Sequence, residues 1–490
     1  MILLLLLLPT LTGACCLFLR ADEARRNVLV STAIAHTVVT VSTWWTLPAA
    51  HLDGWLLLDA PGRVFLSITS LLFLTVAVYS LGYLRRESDV IRTDIEEGSL
   101  FANAPEATFT GCLLLFLASM TLVACSQRFG LLWVAIEATT LVSAPLIYFH
   151  RHHRSLEATW KYLMICSVGI ALALLGNFFL AVAAANPRGE PIPLALSDLV
   201  QHADRLHPVW LKAAFLLFLV GYGTKMGLAP LHTWLPDAHS EAPSLVSALL
   251  SGALLNCAFL GILRIQQVCA AAGQGAFGQG LLVGFGLLSM AVAAVFIIGQ
   301  TDYKRMLAYS SVEHMGIMSL GVGIGGAATF GSLLHAVNHS LTKAMLFLVA
   351  GNILTAYRSK STTEVRGVLH VLPFSGALWI VGFLAITGSP PFGLFLSEFT
   401  IVKTAVDQGQ IAVAVAALVL LMLIFVGMAT VVLQMAHGAP AEGAQRPALR
   451  AESGFSIYPP AALAVMVLLL GLYLPPFLSR ALEEAAQLLR

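Results

Sequence analysis

The sequence predicts an all-α polytopic membrane protein with about fourteen transmembrane helices. Of its 490 residues, 58% are hydrophobic and only 11% are charged, whereas soluble domains average about 25% charged. The mean hydropathy is +0.84. Long apolar runs recur along the whole chain and no long polar segment separates them, so no soluble domain is expected.

Charged residues or proline and glycine breaks divide the apolar runs into fourteen predicted spans. In chain order they are 2–19, 28–50, 62–84, 107–125, 129–149, 159–185, 209–230, 243–265, 279–299, 306–322, 327–356, 373–402, 410–436 and 457–478. The longest predicted loops are 186–208 and 437–456. We therefore expect three parts: an N-terminal three-helix segment (1–105), a core (106–436), and a cytoplasmic loop with the last transmembrane helix (437–490).

The N-terminus, the cysteines and the net charge exclude other classes of protein. The stretch MILLLLLLPTLTGACC is apolar like a secretion signal but lacks its basic start, so we expect an uncleaved first helix. None of the seven cysteines forms a C-x-x-C pair and most lie inside apolar runs, so we expect no metal or disulfide chemistry from them. A net charge of +1 does not indicate nucleic acid or an acidic substrate.

The lysines and arginines orient the predicted spans. Of the 27, sixteen fall in one set of alternate loops, nine fall in the opposite set with both chain ends, and Lys225 and Lys343 lie within spans. The positive-inside rule places the richer set in the cytoplasm. The sequence thus predicts a multi-pass protein of a bacterial-type inner or plasma membrane, with both termini on the outer, periplasmic side.

Ionisable residues within the spans are the candidate functional residues. A charge at the centre of a membrane helix costs about 2.5–3.5 kcal/mol on insertion scales, so it needs a reason to be there. Glu137 lies in the middle of span five, in LLWVAIEATTL, where a fixed ion pair is the structural alternative. Lys225 lies in span seven among glycines and before Pro230, which must break the helix. Broken helices that bring a charge to mid-membrane are typical of ion transporters.

Two further spans contain ionisable residues. Glu313 and His314 lie one or two turns inside span ten, where a helix-entry residue in contact with water is the alternative for Glu313. His314 alone is weak evidence of a site. In span twelve, the run TGSPPFG must break the helix as GLAP breaks span seven, and Glu398 lies just past that break.

Span eleven carries a polar stripe in LLHAVNHSLTKAMLFLVAG. His335, Asn338, His339, Thr342 and Lys343 recur at i, i+3, i+4, i+7 and i+8, which is one face of a helix. Two histidines four residues apart can bind zinc, but no third ligand has a matching spacing, so we predict no metal site. Hydrogen bonds between helices explain Asn338 and Thr342 well, and a mid-span lysine poorly. From His335 to Lys343 the stripe extends about 12 Å along the helix axis, so ordered water would be needed to connect its ends.

The order of ionisable residues and helix breaks in spans four to eight matches the order in spans nine to thirteen. Span five with Glu137 then matches span ten with Glu313. The break after Lys225 matches the break before Glu398. Five spans per unit is an odd number, so the second unit must be inverted in the membrane. The predicted inverted repeats are about 106–268 and 274–436.

Four motifs extend through this core. They are GTKMGLAPLHTWLPDAHSEAPSLVSALLSG, QTDYKRMLAYSSVEHMG, HAVNHSLTKAMLFLVAGNI and GSPPFGLFLSEF. The motifs resemble the proton-conducting antiporter-like subunits of respiratory complex I, of Mrp cation/proton antiporters and of membrane-bound group 4 hydrogenases. The resemblance runs from about residue 105 to 436. The details YSSVEHMG and SPPFGLFLSEF are most similar to component F of hydrogenase-4.

The resemblance implies a role for individual residues. Glu137 and Lys225 match the family pair that gates one half-channel, and Glu398 matches the residue at the exit. The span-eleven residues match the family's polar axis. The implied proton relay consists of Glu137, Lys225, His335, His339, Lys343 and Glu398.

One position departs from the family pattern. Asn256 stands where several members have a lysine in span eight. An asparagine can hold water by hydrogen bonds but cannot carry a proton itself. The relay would then pass this point through water and the span-eleven histidines. We expect four residues as further relay or supporting groups: Asn256, Glu313, His314 and His232.

The resemblance implies a proton-translocating, non-catalytic subunit of a complex I-like or group 4 hydrogenase-type oxidoreductase complex. The chain has no nucleotide loop, flavin site, iron–sulfur cysteine set or haem motif, so we expect no cofactor on it. Redox chemistry would belong to partner subunits, both membrane and peripheral. The expected contacts are those subunits, the lipid bilayer and protons, with no nucleic acid. Two alternatives stay open: an Mrp-type Na⁺/H⁺ antiporter subunit, and a non-conducting structural membrane anchor, to which Asn256 gives some weight.

Overall fold

The chain folds into an almost entirely helical bundle. The computed structural model describes residues 1–87, 92–93, 98, 100–185, 191–439 and 452–489. Its helices are α1 Ile2–Phe18, α2 Asp22–Ser42, α3 Ala60–Leu84, α4 Glu106–Cys125, α5 Phe129–Ile147, α6 His153–Ala184, α7 Leu196–Gln201, α8 Pro208–Met226, α9 Trp234–Glu241, α10 Ser244–Leu249, α11 Leu255–Ala271, α12 Gly275–Ile297, α13 Tyr303–Ile324, α14 Ala327–Tyr357, α15 Val368–Val371, α16 Pro373–Ile386, α17 Gly393–Asp407, α18 Ile411–His437, α19 Gly454–Leu472 and α20 Pro476–Gln487. A 3₁₀ turn (Ala203–Arg205), a π-helical turn (Leu250–Leu254) and two antiparallel two-residue strands, β1 Arg92–Thr93 and β2 Leu100–Phe101, complete the described elements.

The predicted all-α polytopic membrane fold is confirmed. Ten described helices are long and apolar enough to cross a membrane: α3 to α6, α8, the continuous α10–α11 helix, α12, α14, α18 and α19. The apolar helices α1 and α16 are shorter. The count of fourteen spans, the inverted repeats and the three-part division stay predictions. Most of the predicted loop 437–456, and residues 186–190 of the loop 186–208, lie outside the described residues.

The second helix differs from its predicted boundaries. Span two was predicted at 28–50, whereas α2 begins at Asp22 and ends at Ser42. The predicted span begins only after the charged residues Arg25 and Arg26. In the structure both arginines lie inside α2, because each has a partner in the protein. Arg26 forms an ion pair of 2.7 Å with Glu106 at the start of α4, and Arg25 donates to the Leu19 carbonyl.

Helix α20 lies beyond the last predicted span and was not predicted. Its buried residues are Ala481, Leu482, Ala485 and Ala486, which recur at i, i+1, i+4 and i+5 and so lie on one face. This face packs against α3 and α14. The helical periodicity of the segment could have indicated it.

The structure interrupts span seven between α8 and α9, where the sequence predicts a break. Gly227 ends α8 in a left-handed conformation, with φ of 85°. Protein groups satisfy the backbone atoms that the break frees. The Trp234 indole N–H donates to the Thr224 carbonyl at 2.8 Å, and the Ala229 N–H donates to the Ser289 hydroxyl at 3.0 Å.

A second interruption separates α16 from α17 in span twelve. The Ser389 N–H donates to the Leu384 carbonyl at 3.0 Å, and the Phe392 N–H donates to the Ser389 carbonyl at 3.1 Å. Gly388, with φ of 63°, lies within this turn. A Cβ atom at Gly388 would overlap the carboxylate of Glu398, so the glycine lets that side chain lie against the backbone.

Helix α14 is the centre of the bundle. It packs against α3, α10, α13, α16, α17 and α19, and its residues from Gly331 to Ile353 are buried. The whole polar stripe is therefore enclosed by protein and not by lipid. Across from it, α10 continues into α11 through the π-helical turn, a local distortion that is frequent at functional sites.

We predict that the contact between α12 and α13 depends on Gly286. A Cβ atom there would lie 2.7 Å from the Gly316 carbonyl oxygen, whereas one at Gly284, on the same helix, would meet nothing within 4 Å. Gly286→Ala should lower stability by about 1–3 kcal/mol because the helices must separate. The measurement is the melting temperature of the purified protein. Gly284→Ala is the matched control, and equal melting temperatures for the two variants would contradict this packing.

Candidate functional site

Lys225 lies in the last turn of α8, directly before the helix interruption. Its side chain is fully buried. The ammonium Nζ donates to the Tyr162 hydroxyl at 2.5 Å and to the Thr140 hydroxyl at 2.9 Å. Tyr162 in turn lies 2.6 Å from the hydroxyl of Ser143. The lysine is thus enclosed by hydroxyl groups, whose oxygens accept hydrogen bonds from its ammonium group.

Glu137 reaches this cluster indirectly. Within the described residues no ion pair joins it to Lys225. Its carboxylate accepts hydrogen bonds of 3.2 Å from the hydroxyls of Thr140 and Ser167. The Thr140 hydroxyl therefore accepts from the lysine and donates to the glutamate, so it bridges the two charges. Glu137 is partly exposed on the bundle surface, which is unlike a fixed buried ion pair.

Asn256 lies at the start of α11, immediately after the π-helical turn. Its Nδ2 donates to the Ser340 hydroxyl of α14 at 2.7 Å and to the Gly252 carbonyl at 3.0 Å. Its Oδ1 is buried and has no partner among the described residues. Asn256 thus links the central helix to α11 and leaves one acceptor available to water.

The polar stripe of α14 is fully buried along its length. Lys343 donates to the Leu307 carbonyl of α13 at 2.6 Å. Asn338 and Thr342 donate to carbonyls of their own helix, those of Leu334 at 3.1 Å and of Asn338 at 2.8 Å. Hydrogen bonding between helices therefore does not explain these two residues, although the sequence favoured that explanation for them.

Three histidines meet between α13 and α14. His314 Nδ1 lies 2.9 Å from His335 Nε2, and His335 Nδ1 lies 2.9 Å from the Ser397 hydroxyl of α17. The rings of His314 and His339 are 5.1 Å apart. Neither ring nitrogen of His339 has a partner among the described residues. The histidines thus form a compact cluster that reaches from the stripe to the second interrupted helix.

Two carboxylates flank the histidine cluster. Glu398 follows Ser397 on α17, and its Oε1 is buried without a partner among the described residues. One possible ligand atom from each of His314, His335 and Glu398 lies within 4.8 Å of the other two. Glu313 Oε2 lies 3.9 Å from His314 Nε2. This group differs from the pair of histidines on α14 that the sequence indicated as a zinc candidate.

Two more histidines lie around the first interruption. His232 lies in the turn between α8 and α9, with its ring 6.2 Å from that of Tyr309. His239 of α9 is fully buried, and its ring stacks on Phe347 of α14 at 5.1 Å. Neither ring nitrogen of His239 has a partner among the described residues. The sequence predicts a supporting role for His232, whereas the position of His239 emerges only from the structure.

The end of α9 opens to an outer face of the bundle. A cavity of about 690 Å³ there is lined by polar and charged residues that include Asp237, Glu241, Arg305 and Lys360. Beneath it, Lys304 donates to the Ser240 carbonyl at 2.9 Å. Water can therefore reach the residues next to His239, at the end of the interrupted helix.

A family described as NADH:quinone oxidoreductase/Mrp antiporter, TM matches residues 126–424, more than half of the chain. The chain belongs to this family. The matched range contains every predicted relay residue, from Glu137 on α5 to Glu398 on α17. The antiporter-family region therefore coincides with the clusters around Lys225 and His314.

Individual antiporter-family proteins are similar over most of the chain. The Hydrogenase-4 component F homolog of Methylacidiphilum infernorum is 40% identical over 363 residues, which are 73% of this chain and 74% of that protein. Hydrogenase-4 component B of Escherichia coli is 27% identical over 74% of this chain, and the match spans about half (53%) of its length. A solved chain of the membrane-bound sulfane sulfur reductase, an archaeal respiratory membrane complex, has a TM-score of 0.86 at 20% identity, covering 100% of this chain and 97% of that one. This last likeness supports the shared fold.

Several residues of this antiporter-family site were missed from the sequence. Hydroxyl side chains such as those of Thr140, Tyr162 and Ser397 are common in membrane helices, so none stands out without its contacts. His239 had a usable signal, because it follows a helix break in a polar motif. A titratable residue that follows a helix break is therefore a candidate site residue, even when it lies several positions beyond the break.

We predict that Thr140→Val weakens proton transfer by separating Glu137 from Lys225. The change keeps the shape of the side chain and removes the bridging hydroxyl. A hydrogen bond to a charged group contributes about 1.5–3 kcal/mol, so proton uptake should fall roughly tenfold or more. The measurement is proton uptake by proteoliposomes that contain the purified complex. Thr139→Val is the matched control because, among the described residues, the Thr139 hydroxyl bonds only to the Ile136 carbonyl. Equal rates for both variants would exclude the bridge.

Proposed function

We propose that this chain is the proton-translocating membrane subunit of a complex I-like or group 4 hydrogenase-type complex. Protons move along buried side chains in the plane of the membrane. One observation supports this most: polar and ionisable groups extend from Glu137 on α5 to Glu398 on α17 through the buried centre of α14. Structural packing alone does not require so many unpaired polar atoms inside a membrane protein.

The first part of the path is the cluster around Lys225. The partly exposed Glu137 influences the charge of the lysine through Thr140. A change in the charge of Glu137 therefore alters how strongly Lys225 holds its proton. The helix break beside Lys225 leaves polar backbone in the interior, where water can approach the lysine.

The middle of the path combines Asn256, Ser340 and the lysine of the stripe. Asn256 holds Ser340 on α14 and presents an unpartnered oxygen. Since asparagine does not carry a proton, we propose that water bridges this part to Lys343. Neither ring nitrogen of His239 has a partner in the described part of the chain, and His239 precedes Ser240, which lines the outer cavity. We propose that water from this cavity joins the path at His239.

The last part of the path is the histidine cluster. His314, His335 and Ser397 form consecutive hydrogen bonds of 2.9 Å, and a proton can pass along such a chain when each ring exchanges its tautomer. His339 connects the cluster to the stripe. Glu398 receives the proton and releases it beside the second helix break.

The energy for transport comes from outside this chain. We propose that redox chemistry in partner subunits, membrane-bound and peripheral, drives the relay, and that this chain binds no redox cofactor. Hydrogenase-type partners are favoured by the 40% identity to the Hydrogenase-4 component F homolog. From the distribution of lysine and arginine, we propose that both termini lie on the periplasmic side.

A second candidate function is an Mrp-type Na⁺/H⁺ antiporter subunit. The matching family is itself described by the Mrp antiporter as well as by the oxidoreductase. Rescue of sodium-sensitive cells by the chain with its neighbouring subunits would favour this function. Copurification of the chain with a hydrogenase would exclude it.

We predict that Lys225→Ala abolishes coupled proton uptake and leaves assembly intact. The change removes the only ammonium group that bonds to Thr140 and Tyr162 in the described structure. Proton uptake by proteoliposomes is measured beside the size-exclusion profile of the complex. Lys212→Ala on the same helix is the control, since its Nζ lies over the Phe277 ring outside the path. Uptake at the wild-type rate in Lys225→Ala would contradict the relay.

The structural-anchor alternative makes the opposite prediction for a triple variant. Glu137→Gln, Lys225→Ala and Glu398→Gln together should stop proton uptake if the path conducts. An anchor with an inactive channel would leave ion transport by the complex unaltered. The same proteoliposome assay distinguishes the two, with the redox activity of the complex measured in parallel to show that it is intact.

A further inference from the structure

We infer that His314, His335 and Glu398 form a buried site for a divalent transition-metal ion, with Zn²⁺ as the best-fitting ion. The three residues come from α13, α14 and α17, and the site lies inside the histidine cluster. Two imidazoles and one carboxylate are a donor set that zinc uses when it keeps a fourth position open. The site itself follows from the geometry, while its effect on transport rests on the proposed function.

The ligand atoms are close to the required positions. One ligand atom from each residue lies within 4.8 Å of the other two, and His314 Nδ1 and His335 Nε2 are 2.9 Å apart. With zinc–nitrogen bonds of about 2.0–2.1 Å, two nitrogens on a tetrahedral ion are roughly 3.3 Å apart. To admit the ion, the two rings need to separate by a few tenths of an ångström and to turn so that both lone pairs face it.

Both imidazoles also have the outer partners that metal-bound histidines use. A ligating histidine commonly directs its second ring nitrogen to a carboxylate or another polar group. His335 directs Nδ1 to the Ser397 hydroxyl at 2.9 Å. His314 directs Nε2 towards Glu313 Oε2 at 3.9 Å, and neither of these two atoms has another partner among the described residues.

The hydrogen atom that an incoming ion displaces can move to another nitrogen of the same ring. One hydrogen atom lies between His314 Nδ1 and His335 Nε2, and both nitrogens must be free of protons to bind an ion. A shift of the His314 tautomer moves the hydrogen to Nε2, and Glu313 Oε2, now 3.9 Å away, can accept its hydrogen bond once the carboxylate moves closer. Each ring then presents one lone pair to the metal. His335 keeps its hydrogen bond to Ser397, and His314 gains one when Glu313 approaches.

Glu398 supplies the third ligand from a fixed direction. Its Oε1 is buried without a partner among the described residues, and a buried carboxylate oxygen needs a cation, a donor or water. The rest of the carboxylate lies against Gly388, where any side chain would overlap it. The second helix interruption therefore holds the carboxylate next to the imidazoles and leaves one oxygen available.

Metal binding at this site would inhibit transport. An ion held by His314, His335 and Glu398 occupies the nitrogens and the carboxylate that pass the proton in the last part of the path. A bound zinc ion cannot be exchanged on the timescale of proton transfer. Micromolar zinc should therefore slow proton uptake without disturbing assembly of the complex.

The test measures zinc binding to the purified complex that contains this chain. The complex is treated with a chelator, dialysed against Zn²⁺, and examined by elemental analysis and zinc X-ray absorption. Wild type should hold a zinc equivalent with two imidazoles and oxygen. His314→Gln, His335→Gln and Glu398→Gln should each weaken its affinity at least about tenfold. His239→Gln should keep it, since His239 is equally buried and unpartnered but lies outside the group.

The outcomes separate this inference from the proposed function. Zinc binding that is identical in wild type and in all three variants, or a spectrum without imidazole, would overturn the metal site. If that occurs while the three variants still lose proton uptake, the relay stands without the metal. Zinc bound at the site with proton uptake at the full rate would support the site and contradict the relay. If His335→Gln does not assemble, Glu398→Gln decides, because it keeps the shape of the side chain.

Discussion

The free energy of placing charge in a membrane is the constraint on which this structure depends. Lipid offers no hydrogen bonds, so every ionisable side chain of the path must find its partners in the protein or in water that the protein encloses. The bundle meets this requirement by enclosing α14 among α3, α10, α13, α16, α17, α19 and α20. Lys343 is consequently fully buried and bonded to a backbone carbonyl of α13. The position of α14 thus follows from the chemistry of its polar stripe.

The same constraint explains the two interrupted helices. Each break exposes polar backbone, and each is completed by protein groups, such as the Trp234 indole at the first break. In return, each break brings an ionisable side chain into the interior, Lys225 at the first and Glu398 at the second. The two sites differ in their surroundings. Hydroxyl groups surround the lysine, whereas imidazoles surround the glutamate.

The sequence predicts the fold and the placement of charge well, because both follow from hydropathy and from residues that break helices. It predicts contacts between helices poorly. The bridge from Glu137 to Lys225 depends on the bond between Thr140 and Lys225, which are 85 positions apart, and no periodicity encodes it. Spacing within one helix identifies only the histidine pair of α14 as a possible zinc site. It does not predict the group of His314, His335 and Glu398, which come from three helices. Helix α2 begins before the predicted span because Arg26 pairs with Glu106, and this ion pair makes a charged helix start acceptable.

The central claim is that the stripe of α14 carries protons and is not merely a structural feature. Proton uptake by proteoliposomes containing the complex with Lys343→Met tests it most directly. This change keeps the length of the side chain and removes its proton. The account predicts loss of uptake in an assembled complex, with normal uptake for Lys403→Met, whose lysine pairs with Asp407 at the surface. Proton uptake at the wild-type rate in Lys343→Met would contradict proton transfer along the stripe. The stripe would then have only a structural role.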